Sequence, residues 1–174
     1  MGTLTSESQE LLKGRYYATL ATDEEDGSVH LTPVWYLFEG DKFYVASHHA
    51  SRKARNVSER PSASLVVDVR RAGAERWVSA SGSAKLLTGE PSKNINEKIV
   101  RRYMTREAMD NPKVGPVLLA GDGATICLTP VNWRSWDMKA SMRSFSAECS
   151  PKRQRGGFSL RMDKLDRREA PERR

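Results

Sequence analysis

Apolar and polar positions alternate along much of this chain with the two-residue period of strands. Arg15 to Thr22 (Arg-Tyr-Tyr-Ala-Thr-Leu-Ala-Thr) is rich in aromatic and β-branched residues, which suit a pleated surface. An acidic stretch, Asp23 to Ser28, contains Asp26-Gly27, a common hairpin turn. Val29 to Phe38 reads as one second strand, with Val29, Leu31, Val34, Trp35, Leu37 and Phe38 placing apolar groups on both faces. Pro33 has no N–H to give a ladder, so it marks an edge or a bulge. Glu39 to Lys42 is a tight turn, and Phe43 to Ser47 is the returning strand. Leu65 to Val69 is a further strand. Arg76 to Leu87 puts Val78, Ala80, Gly82, Ala84 and Leu86 on one face, and Ala124 to Val131 does the same with Ala124, Ile126 and Leu128. The small residues at 80, 82 and 84 predict a close neighbour on that face, either another backbone or a flat ligand.

Three stretches carry helical signals instead. Residues 4–13 hold Ser6 and Gln9 at capping-box spacing, an apolar edge at Leu11 and Leu12, and Gly14 as a stop. Residues 51–60 end before Pro61. Pro91 to Met109 places Ile95, Ile99, Val100, Tyr103 and Met104 at helical spacing. About six strands, joined mostly by hairpins, predict antiparallel pairing and a small mainly-β (α+β) barrel with flanking helices. The strand–helix alternation of a parallel sheet is missing, which disfavours a Rossmann domain.

Charge changes the picture at one place only. The chain has 174 residues and a net charge of +7. Residues 1–138 hold 18 basic and 17 acidic side chains, and residues 139–174 hold 11 and 5. The globular part, 1–138, is therefore near neutral, and the basicity sits in a tail without periodicity, expected to be disordered. Four acidic residues, Asp163, Asp166, Glu169 and Glu172, dilute that tail, and only Phe145 and Phe158 supply aromatic rings, which argues against specific nucleic-acid binding. No run of about 18 apolar residues spans a membrane, and no secretory signal opens the chain. Cys127 and Cys149 make neither a disulfide framework nor a tetrahedral metal site, so a reducing cytoplasm is expected.

The stretch Ser47-His48-His49-Ala50-Ser51-Arg52-Lys53-Ala54-Arg55-Asn56 is the strongest chemical signal. A strand ends, a short polar loop follows, and a helix opens with cations in its first turn. The helix dipole makes that end positive, so cations there are locally unfavourable. Free N–H groups, a serine hydroxyl, Arg52 and Lys53 together form a cradle for a phosphate; a solvated charged face is the plain alternative. His48 and His49 have no third metal ligand at useful spacing. There is no Ser/His/Asp or paired-carboxylate signature, and no catalytic residue stands out; Tyr36, Tyr44 and the two histidines are the candidate proton donors.

Several segments in this order resemble the pyridoxamine 5′-phosphate oxidase-like split β-barrel superfamily. They are Pro33-Val34-Trp35-Tyr36, Phe43 to Ser47, Lys53-Ala54-Arg55-Asn56-Val57 and Arg60-Pro61 to Asp68. With Arg102-Tyr103-Met104 and Thr129 to Asp137, they resemble more narrowly the branch of deazaflavin F420-dependent reductases. The resemblance covers about residues 10–138. It implies a six-stranded antiparallel split β-barrel, a homodimer, and a cofactor at the subunit interface. It further implies an oxidoreductase that passes hydride between F420 and a small organic substrate, with FMN as the alternative cofactor and a non-catalytic flavin- or haem-binding module as the alternative role. Carried across, Lys53 meets the phosphate with Arg52 and Asn56 as helpers. Ser47 and His48 flank the ribityl chain, and Pro33, Val34 and Trp35 lie along the ring. Trp77 and Gly82 come from the other subunit. Relatives often carry a basic residue near the position of Ser51; here the neighbouring cation is Arg52.

Overall fold

A computed structural model describes residues 4–116 and 123–148 of the chain. Its strands are β1 (Ala18–Asp23), β2 (Val29–Val34), β3 (Tyr36–Glu39), β4 (Lys42–His48), β5 (Ser62–Val69), β6 (Arg76–Leu87) and β7 (Gly123–Asp137). The helices are α1 (Ser6–Lys13), α2 (Arg52–Glu59), α3 (Gly89–Tyr103), α4 (Arg106–Asp110) and α5 (Met138–Glu148). One sheet contains all seven strands in the order β2-β1-β5-β6-β7-β4-β3, and every pairing is antiparallel.

The strand expected over 29–38 is two strands, which makes seven rather than six. Residues 29–34 pair with β1, and residues 36–39 pair with β4 at the opposite end of the sheet order. Only Trp35 joins them. Two residues of chain span at most about 7 Å, so the two edges of the sheet must come together, and the sheet curls into a split barrel. Pro33 sits on β2, an edge strand, where its missing N–H faces no ladder.

The barrel interior is filled from every strand. Leu20, Tyr36, Phe43, Val45, Leu65, Val67, Val78, Ile126 and Leu128 are buried together. Trp133 meets Phe38 edge-on, with ring centres 6.0 Å apart. Leu11 and Leu12 of α1 join this core, as do Ile99 and Tyr103 of α3. Ala80 and Ala84 are buried in it as well. Gly82 has a different reason to be small. It sits at a β-bulge between β6 and β7, and a Cβ there would lie 2.1 Å from the Thr129 carbonyl oxygen. The close neighbour predicted for this face is thus the backbone of β7 at position 82.

Three boundaries differ from the sequence expectation. Helix α1 is capped by Thr5, whose hydroxyl accepts from Ser8 N–H, rather than by Ser6. The helix expected over 91–109 ends at Tyr103, and Thr105 caps the separate α4 by accepting from Ala108 N–H. The disordered tail expected from residue 139 begins as helix α5. Asp137 caps it by accepting from Ala140 N–H at 2.9 Å, and Ser141 and Ser144 donate back to the carbonyls of Asp137 and Ala140. The sequence signals of this helix, the Asp137 cap and the Met138, Met142 and Phe145 spacing, are short and lie among polar residues. The rest of the expected tail, 149–174, lies outside the described residues. Among the described residues no helix is long and apolar enough to cross a membrane, and no group of three or more His, Cys, Asp or Glu could hold a metal.

Candidate functional site

Helix α2 opens immediately after β4, and the turn between them is built by local bonds. Ser51 N–H donates to the His48 carbonyl at 2.9 Å, and Ala50 N–H donates to His48 Nδ1 at 3.2 Å. Ser51 is the N-cap: extended in backbone, its hydroxyl accepts from Ala54 N–H and lies 2.8 Å from the Ser47 hydroxyl. Ser47 thereby ties the strand's end to the helix's start. The His48 and His49 rings lie 4.1 Å apart, both on the surface.

The first turn of α2 contains no acidic residue. Among the described residues the amides of Arg52 and Lys53 have no hydrogen-bond partner, as is usual for the opening amides of a helix. Lys53 is half-buried and pairs with no carboxylate among the described residues. Burial alone pulls its ammonium below the ordinary lysine range. A partly desolvated cation, two open N–H groups and the positive end of a helix occur together here, and among the described residues no carboxylate pairs with the cation.

The two expected helpers are occupied elsewhere. Arg52 Nε lies 3.2 Å from Glu24 Oε1, in the turn between β1 and β2. Asn56 is buried: its Nδ2 donates to Thr22 Oγ1 at 3.1 Å, and its Oδ1 accepts from Arg60 at 3.4 Å. Asn56 therefore fastens α2 to β1. Neither pairing carried a sequence signal, because each joins residues about 30 positions apart.

The ring-side residues gather at the junction of β2 and β3. Trp35 is half-buried and stacks on Tyr103, with ring centres 5.3 Å apart and planes 2° from parallel. Tyr103 donates to the Tyr16 carbonyl and accepts from Tyr36 N–H at 3.4 Å. Arg102 donates to the carbonyls of Lys13 and Gly14 and lies about 6 Å from the rings of Tyr36 and Tyr103. So Pro33-Val34-Trp35-Tyr36 and Arg102-Tyr103, far apart in sequence, form one cluster. Tyr36 is fully buried and donates to the Leu12 carbonyl at 2.9 Å; burial raises its phenol well above the ordinary tyrosine range, which removes it as a proton donor to substrate. The Val34 side chain belongs to the core, which leaves its backbone for a ligand, whereas Pro33 is exposed.

Trp77 lies on β6. It pairs across β6 and β7 with Trp136 and lines a separate cleft of about 400 Å³, walled by α1 and α5. Gly82 lies at the bulge already described.

A family model for pyridoxamine 5′-phosphate oxidase matches residues 4–137, from just before α1 to the last residue of β7. The chain belongs to the pyridoxamine 5′-phosphate oxidase family. No curated protein matches it. Among solved structures it is similar to the conserved hypothetical protein Rv2991 from Mycobacterium tuberculosis, at 22% identity and a TM-score of 0.66, covering 82% of this chain and 89% of that one. It is also similar to an F420 reductase, at 20% identity and a TM-score of 0.57, over 72% of this chain and 94% of the other. The haem storage protein HutZ from Vibrio cholerae matches at 16% identity and a TM-score of 0.57, over 78% and 95%. These likenesses are of fold. Helix α5 begins where the family match ends.

The start of α2 fits a phosphate-bearing cofactor of the kind this family uses. A half-buried ammonium with no anion beside it is stabilised by one, and the unpaired amides of Arg52 and Lys53 supply donors.

Proposed function

We propose that this protein is an F420-dependent oxidoreductase that works as a homodimer and passes hydride between the cofactor and a small organic substrate. The observation that carries the reading is Lys53, a partly desolvated cation at a helix N-terminus with no counter-ion among the described residues. Bound there, the cofactor supplies the hydride chemistry. The chain's own residues hold and shield it. Lys53 and the first amides of α2 take the phosphate, Ser47 and His48 border the chain between phosphate and ring, and Pro33, Trp35 and the backbone of Val34 face the ring. The Trp35–Tyr103 stack makes that wall rigid. Trp77 of the second subunit completes the pocket.

The outer face of the sheet supports the dimer. Leu31, Ala21, Ser64, Ser81 and Asn132 form one cross-strand row, in which small residues lie beside exposed Leu31. A small-residue surface of this kind lets a second barrel approach closely.

FMN is the competing cofactor, since a phosphate cradle serves both. Titration with F420 and with FMN, read by absorbance and fluorescence, decides between them. Tight binding of F420 alone supports the reading; a protein that purifies yellow with flavin bands overturns it in favour of FMN. Sedimentation that shows a monomer at micromolar concentration overturns the dimer.

A further inference from the structure

The β1–β2 turn is pressed against α2 by a row of bonds. Asn56 reaches Thr22, Arg60 Nε donates to the Asp23 carbonyl at 2.8 Å, and the Ser62 hydroxyl donates to Asp23 Oδ2 at 2.8 Å. Inside the turn the backbone of Glu24 is held at both ends: its N–H donates to the Ser28 carbonyl, and its carbonyl accepts from Gly27 N–H. Asp26 is committed to Ser28, whose N–H and hydroxyl both reach Asp26 Oδ1. Glu24 makes the closest approach to Arg52 of α2, and the Asp26 carboxylate lies within electrostatic reach of the same guanidinium. The Glu24 side chain is 16% exposed, with Oε1 3.2 Å from Arg52 Nε and 3.8 Å from His30 Nδ1.

The Arg52–Glu24 contact has a particular character. It is close enough for an ion pair yet makes no aligned hydrogen bond, and the arginine side chain is 63% exposed. The more buried partner is the carboxylate; the more exposed one is the guanidinium. Arg52 is also the second residue of the chain's Ser-Arg-Lys cradle, one position from the unpaired Lys53. We propose that Glu24 is the resting counter-ion of Arg52, and that an anionic group entering the cradle draws the guanidinium away from it. This rests on the assignment of the cradle to a phosphate. Separating the pair costs every anion the same free energy. A cofactor, with a ring to bury, offsets that cost, whereas a small inorganic anion has the cradle alone. Glu24 therefore lowers the occupancy of the cradle by free phosphate.

The probe is inorganic phosphate alone, followed through the backbone amide signals of Arg52 and Lys53 in NMR titrations of the full chain. Glu24→Gln keeps the side-chain shape and removes the charge. Phosphate affinity should rise about two- to fivefold, the range of a partly exposed ion pair. In Glu24→Gln combined with Arg52→Ala, that gain should vanish. Glu24→Asp, which keeps the charge but withdraws it from Arg52, should show part of the gain and serves where Glu24→Gln folds poorly. Unchanged phosphate affinity in both Glu24 variants, or a gain that survives Arg52→Ala, overturns the proposal. If Lys53→Ala weakens phosphate binding while the Glu24 variants do nothing, the cradle stands and only the role of Glu24 falls. If Lys53→Ala also leaves phosphate binding unchanged, the cradle itself is wrong.

Discussion

The contact between α3 and β7 and the opening turn of α2 are built from similar polar residues, and they differ in whether the chain satisfies them. At the first, Ser92 Oγ donates to the Gly123 carbonyl at 2.8 Å and lies 2.9 Å from Thr125 Oγ1. Thr125 in turn donates to Asn96 Oδ1 at 2.8 Å, and Asn96 Nδ2 donates to the Ala124 carbonyl at 3.3 Å. Ser92 and Thr125 are fully buried, so each donor and acceptor needs its partner, and each has one. At the second, the Ser47–Ser51 pair is satisfied, but the Lys53 ammonium and two amides are left open. Polar groups that close on one another locate an element. Polar groups left open, of one sign and partly desolvated, are where the proposed cofactor phosphate would act.

Removing the open cation gives the largest expected effect on binding. Lys53→Ala deletes a charge-assisted bond worth roughly 1.5–3 kcal/mol, so cofactor affinity should fall about 10- to 100-fold. The ligand-free protein should melt at the same temperature or slightly higher, because a partly desolvated cation leaves the positive end of a helix. The sign of the pH dependence follows from the direction of the lysine's shift. Its pKa is lowered on folding, so between that value and 10.5 the unfolded chain holds more protons, and stability rises with pH across this window. Bound phosphate favours the charged form, so affinity should weaken as pH climbs through the same window, and Lys53→Ala should flatten that slope. Melting curves and titrations of both proteins from neutral to alkaline pH test this.

At the closed cluster the pattern should invert. Thr125→Val keeps the shape and leaves Asn96 Oδ1 and Ser92 short of a partner in a buried place. That should cost about 1–3 kcal/mol of stability and leave cofactor affinity unchanged. Denaturant unfolding with a parallel titration checks both halves. A loss of affinity as large as that of Lys53→Ala would mean that the two regions are coupled, and the contrast between them would fail. Gly82→Ala tests a third kind of site. Its Cβ would strike the Thr129 carbonyl oxygen, a backbone atom that shifts only if the bulge moves, so a stability loss of about 1–3 kcal/mol is expected by the same measurement.

The sequence made these distinctions only in part, for physical reasons. Local alternation reveals a strand that has one buried face, and β6 was legible because Val78, Ala80 and Ala84 face the core in turn. The break at Trp35 was not, since Val34 and Tyr36 are both buried and an uninterrupted strand would bury both as well. What divides them is that they pair with opposite edges of the sheet, a long-range fact. The unusual charge at the start of α2 was legible because the cations are consecutive: Arg52 and Lys53 in a helix first turn are odd on local grounds alone. The roles of Asn56 and Glu24 were not, because Thr22 and Arg52, the residues that define them, reach them only through the folded β1–β2 hairpin. Gly82 was read as small for either a backbone or a ring, and only the bulge chooses between them at that position.

Ser51 sits on the boundary between the two kinds of region, so it sharpens the comparison with the smallest effect. Its hydroxyl accepts from Ala54 N–H and pairs with Ser47, and this makes it architecture even though it lies in the cradle. Ser51→Ala should therefore cost about 1 kcal/mol of stability, the usual value of an N-cap. Affinity should drop only a few-fold, through fraying of the turn that carries Lys53. Ser51→Asn separates the two contributions. Asparagine caps as well as serine does and adds no charge, so stability should recover, and if capping is the hydroxyl's whole role, affinity should recover with it. Melting curves set against cofactor titrations for the two variants read this directly. If Ser51→Asn restores stability while affinity stays low, the hydroxyl touches the bound anion as well as the helix, and Ser51 belongs with Lys53 among the residues whose partner comes from outside the chain.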